Sequence, residues 1–120
     1  MEEQPTIDLR QEILQLVRSA GECGESDTYP GKRRGLRVCD GLQLEMISDP
    51  RRGGPAAAVS MHNVSEGGLA FWARRRIEPG TSLYMREFSA DNSRQWLPVR
   101  VTHCTVGIRG FLVGAAFLVE

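Results

Sequence analysis

The sequence is short of lysine, histidine and cysteine, with one, two and three of them in 120 residues, and it has no surplus of either charge. Fifteen basic residues balance fifteen acidic ones, so binding to a nucleic-acid polymer by bulk electrostatics is disfavoured and any basic character is local. All the basic residues except Lys32 are arginine, a bias that carries little functional weight on its own. Cys23, Cys39 and Cys104 are odd in number and lack C-x-x-C spacing. This argues against a disulfide framework or a zinc site and for reduced thiols in a cytosol of bacterial type. His62 and His103 would join Cys104 around a metal only by a coincidence of folding. No apolar run reaches transmembrane length, and the chain opens Met1-Glu2-Glu3-Gln4, acidic where a secretory signal is basic. A cytoplasmic protein without a membrane span is the expectation. Paired catalytic carboxylates, a Ser/His/Asp order and a Walker-type phosphate loop are missing too, so a binding module without enzymatic activity or cofactor is expected. Glu66, beside Ser65, reads as a solvated loop carboxylate.

What is present suits one globular domain: 41% hydrophobic residues, 25% charged, and a length able to bury a core. Residues 1–30 read as an N-terminal helix and flexible linker, and residues 31–120 as a β-domain. The helix is predicted over Pro5–Ala20, with Thr6 as N-cap, Asp8 in the first turn and Gly21 as the stop. Leu9, Ile13, Leu16, Val17 and Ala20 recur at three- and four-residue steps, an apolar stripe expected to pack on the domain's own sheet.

Beyond Gly35 the period changes to two. Leu36, Val38, Leu42, Leu44 and Met46 alternate, with Asp40-Gly41 as a bulge or turn. Further strands are predicted over Ala56–Met61, Leu69–Ala73, Ser82–Phe88, Trp96–Val106 and Phe111–Val119. Pro98 is read as tolerated on an edge, and His62–Gly68 as a loop. Short strands between Gly/Pro/Asn/Asp turns, with no crossover helices, predict an all-β antiparallel barrel or sandwich and exclude a parallel sheet.

Two stretches carry chemistry. Lys32-Arg33-Arg34-Gly35-Leu36-Arg37 sets three guanidinium groups within five residues before the first strand. Such groups suit bidentate phosphate contact and stacking on flat rings, although a charge run of this length also serves as a plain solvated segment. Asn63-x-Ser65-x-x-Gly68 lies between two strands. Its amide and hydroxyl can read the edge of a base, or satisfy their own turn, and Gly67-Gly68 admits backbone conformations closed to other residues.

An RxxxR pair, Arg33 and Arg37, followed one hairpin later by Asn63-x-Ser65-x-x-Gly68, resembles the PilZ domain family. Gly114-Ala115-Ala116-Phe117 also looks like that family's last barrel strand, and the likeness spans roughly residues 31–120. The resemblance implies a six-stranded antiparallel barrel that binds the bacterial second messenger cyclic di-GMP and transmits binding to a protein partner. Arg33 and Arg37 would grip phosphate and stack on guanine, with Arg34 adding a phosphate contact. Asn63, Ser65, Gly67 and Gly68 would hold a guanine, Asn63 standing where many members carry Asp. Many members have a helix after the last strand; here the N-terminal helix would take over its packing role. Monomer and homodimer both fit this reading.

The energetics agree. Charge-assisted hydrogen bonds contribute about 1.5–3 kcal/mol and base stacking about 1–3 kcal/mol, enough for micromolar affinity near 8 kcal/mol after association costs. Ordering the arm subtracts about 1–2 kcal/mol per residue fixed, and that ordering is the expected signal. Two alternatives stand beside it. One is a PilZ-like domain that binds no nucleotide and docks a protein through the helix stripe with exposed apolar residues such as Phe71 and Trp72. The other is a single-strand binder using Arg74, Arg75 and Arg76, which neutral charge disfavours and which reads more simply as a solvated turn.

Overall fold

The computed structural model describes residues 9–23, 37–38, 42–91 and 94–118. Helix α1 spans Leu9–Cys23. Strands follow as β1 (Arg37–Val38), β2 (Gln43–Ile47), β3 (Ala57–Val64), β4 (Gly68–Ala73), β5 (Ser82–Glu87), β6 (Leu97–Gly107) and β7 (Gly110–Phe117). All pairings are antiparallel in the order β3-β2-β5-β6-β7-β4, and β4 returns to β3. The result is a closed six-stranded barrel, as expected. The two-residue β1 is a seventh segment that extends the β2 edge of β3, pairing Arg37 with Val64 and Val38 with Asn63. The first strand is therefore interrupted, and the Asp40-Gly41 break expected there lies outside the described residues.

Alternation fills the interior. Leu44, Val59, Met61, Val64, Leu69, Phe71, Met85, Val99, Val101 and Val113 all point inward and are buried. Phe71 is fully buried, against the exposure that the protein-docking alternative requires. With Leu69 and Ala73 it holds the inward phase of β4, while Trp72 takes the outward phase and stays half-buried. Pro98 also needs a different account, because a closed barrel has no edge. It is the second residue of β6, where its missing N–H falls at the start of the strand, and its carbonyl accepts from the Leu118 N–H at 2.8 Å. At the β6–β7 turn Gly110 has φ 122°, and a Cβ there would lie 2.6 Å from the Ala73 carbonyl oxygen, so both conformation and space demand glycine.

Helix α1 lays its stripe on the barrel as expected: Ile13, Leu16 and Ala20 are buried in the common core, with Leu9 and Val17 packed beside them. It runs through Gly21 to Cys23, two residues beyond the expected stop, and Thr6 and Asp8 lie outside the described residues. A glycine in a helix costs only about 1 kcal/mol, less than the anchoring supplied by the residues before it. The helix lies across the barrel end that carries the start of β4, the end of β7 and the start of β6. Glu12 meets Arg94 at 3.7 Å on that end, a half-exposed pair that orients the helix more than it stabilises it. Nearby, the half-buried Arg86 guanidinium donates to Glu45 at 2.9 Å and lies 4.0 Å from the centre of the Trp96 ring. Glu45, Arg86 and Trp96 come from separate stretches of the chain, and no local pattern announces the cluster.

Candidate functional site

The Asn63-x-Ser65-x-x-Gly68 segment is more strand than loop. His62, Asn63 and Val64 continue β3, and the turn is confined to Ser65, Glu66 and Gly67. Strict alternation from Val59 and Met61 would turn Asn63 into the core. A register shift between Met61 and Asn63 adds one residue, so Val64 is buried instead and Asn63 stands half-buried on the outer face, opposite Ala70. The Asn63 side chain makes no hydrogen bond among the described residues, which leaves its two donors and its acceptor without a partner there.

Ser65 closes the turn. Its N–H donates to the Gly68 carbonyl at 2.8 Å, and its hydroxyl oxygen accepts from the Gly67 N–H at 3.3 Å. One lone pair is thus committed to the turn, while the hydroxyl proton is left to a partner. The expected reason for the two glycines needs correction, since neither has positive φ. Around Gly67 a Cβ would meet nothing within 4 Å, whereas at Gly68 it would lie 2.3 Å from the Ala115 carbonyl oxygen. Gly68 is required by the close approach of β7. Gly67 contributes its carbonyl, which accepts from the Phe117 N–H at 3.0 Å.

Of the arginine arm, Arg33 and Arg34 lie outside the described residues. The backbone of Arg37 is described, and the register sets it across from Val64, one residue from Asn63 and one from Ser65. Adjacent strands are about 4.8 Å apart, so the last residue of the arm and the amide–hydroxyl corner share one end of the barrel.

A cleft of about 300 Å³ opens on the same end, between Arg10, Ile13 and Leu14 of α1 and Glu66, Gly67 and Phe117. Other basic groups are elsewhere. Arg74, Arg75 and Arg76 are exposed beyond the opposite end of β4, where Arg76 pairs with Glu78. In the loop after β2, the Arg51 backbone N–H and then its guanidinium hold the Asp49 carboxyl below the usual carboxylate range. That loop, too, is remote from Asn63 in the fold.

Outward from Asn63 the row crosses Ala70 on β4 and Gly114 on β7, then reaches His103 on β6. The row below it runs Gly68, Ala116, Arg100. Sequence reading weighed His103 only as a metal ligand. A second register shift, between Val101 and His103, turns His103 outward, while Cys104 takes the inward phase opposite fully buried Val113. The two cannot face one ion, and no cluster of metal-ligating side chains occurs among the described residues. Nor does any helix among them have the length and apolarity to cross a membrane. No protein-family model matches the chain, and no curated protein matches it at significant similarity.

Proposed function

We propose that this chain is a PilZ-type receptor domain for cyclic di-GMP, acting in the cytoplasm without catalysis. The observation that supports the reading is the β1–β3 register, which brings the backbone of Arg37, the last residue of the arm, to the Asn63–Ser65 end of the barrel, with Val38 in the row of Asn63. In this reading Arg33, Arg34 and Arg37 bind phosphate and stack on guanine. The Asn63 amide and Ser65 hydroxyl hold a base edge, and the Gly67–Gly68 backbone keeps the corner open. Closure of the arginine arm over the ligand is the signal that a protein partner reads.

The alternative, a barrel that docks a protein and binds no nucleotide, is weakened, because Phe71 and the helix stripe of Ile13, Leu16 and Ala20 are in the core. The single-strand alternative relies on Arg74–Arg76, which are remote from the Asn63 corner.

Calorimetric titration with cyclic di-GMP, beside a short oligonucleotide, tests the reading. Wild type should bind the dinucleotide at micromolar strength and the oligonucleotide far more weakly. Arg37→Ala should weaken dinucleotide binding by at least about tenfold, equivalent to 1.4 kcal/mol, with the thermal unfolding midpoint unchanged. Ser65→Ala should cost less, about 0.5–1.5 kcal/mol, since one side of its hydroxyl already serves the turn. Absence of binding by the wild type would refute the proposal, and an unaffected Arg37→Ala variant would remove that residue from the site.

A further inference from the structure

The outer face of β4 and β7 beside Asn63 is almost without side chains. Gly68 and Ala70 on β4 pair with Ala116 and Gly114 on β7; none of the four rises beyond a methyl group, and Ala70 and Gly114 are buried, with the His103 ring over Gly114. Asn63 bounds this face on the β3 side, and Arg100 and His103 bound it on the β6 side.

His103 is exposed, and its ring packs on β7. A Cβ on Gly114 would lie 2.1 Å from His103 Nε2 and 2.5 Å from Cε1, so the imidazole lies against the bare glycine backbone. The ring covers Gly114 and leaves its other side to solvent. Arg100, two residues before the bulge, is exposed and has no ion pair or hydrogen bond among the described residues. The bulges in β3 and β6 lie in the same row of the sheet, and each turns outward the residue that alternation would have buried, Asn63 and His103 respectively.

We infer that His103 and Arg100 form the far wall of the ligand site, the solvent face of the His103 ring stacking on a purine and Arg100 contacting a phosphate. This rests on the cyclic di-GMP reading and adds two ligand contacts from a strand that carries neither motif. Aromatic side chains stack on any base through its π-face, and guanidinium is well matched to phosphate oxygens.

The test is titration of the full chain with cyclic di-GMP, using His103→Ala, His103→Phe and Arg100→Ala beside wild type and Arg37→Ala, each checked for an unchanged thermal midpoint. His103→Ala is expected to bind at least about fivefold more weakly, and His103→Phe within about twofold of wild type, because stacking needs a flat ring and not an imidazole nitrogen. Arg100→Ala should bind at least about fivefold more weakly and lose part of the salt dependence of binding. His103→Ala or Arg100→Ala binding like wild type while Arg37→Ala is weakened would overturn the far wall and leave the cyclic di-GMP reading standing. Failure of His103→Phe to restore affinity would overturn the stacking role. Wild type that does not bind cyclic di-GMP would overturn both.

Discussion

Phe71→Ala is expected to destabilise the domain by about 3–5 kcal/mol, the usual cost of emptying a fully buried aromatic site. Phe71 is paired with Met61 on one side and Val113 on the other, and all three have no solvent exposure. A cavity at that point cannot collapse without moving three strands of a closed barrel, so the loss should fall toward the upper end of the range. The measurement is chemical denaturation, in which the midpoint moves and the slope does not. Trp72→Ala, on the outward phase of the same strand, should cost clearly less. Equal losses would mean that the inward and outward phases of β4 have been assigned wrongly. The comparison also bears on function, because a tolerated Phe71→Ala would return that ring to the surface as a docking anchor.

The second large effect separates two adjacent glycines. Gly68→Ala would drive a methyl group to 2.3 Å from the Ala115 carbonyl oxygen and 3.2 Å from the Ala116 Cα. Both obstacles are backbone, so relief requires β4 and β7 to part at the point where their pairing begins. Overpacking costs about 1–3 kcal/mol, and the upper limit is expected here because no flexible side chain can yield. Gly67→Ala meets open space without positive φ and should stay within about 0.5 kcal/mol of wild type. Thermal unfolding of the two variants decides this, and a Gly68→Ala variant as stable as Gly67→Ala would show that the strands are further apart than described. Ligand binding should follow the same order, since Gly68 lies in the row that leads to Ala116 and Arg100.

Much of the architecture was legible from local patterns. The two-residue period of Leu83 and Met85, or of Val99 and Val101, marks buried faces directly, and the three- and four-residue steps of Ile13, Leu16 and Ala20 mark the helix that packs on them. Boundaries were less legible. The helix passes Gly21 because tertiary packing outweighs a weak local stop, and β3 continues through His62, Asn63 and Val64 because pairing with β1 and β4 extends it. The roles of the motif glycines were misread for the same kind of reason. A glycine needed for close approach looks in sequence like one needed for its dihedral angles.

By itself, then, the sequence determined the alternation that makes a barrel, the arginine run and the amide–hydroxyl corner. Those depend on which residues are near one another along the chain. Tertiary structure alone decided that Arg37 lies across from Val64, that Asn63 faces outward, and that His103 and Arg100 share its outer face across β4 and β7. These follow from strand register, a property of pairs of segments far apart in sequence. A single inserted residue at each of two bulges reverses which side chains meet solvent, and the local pattern does not reveal it.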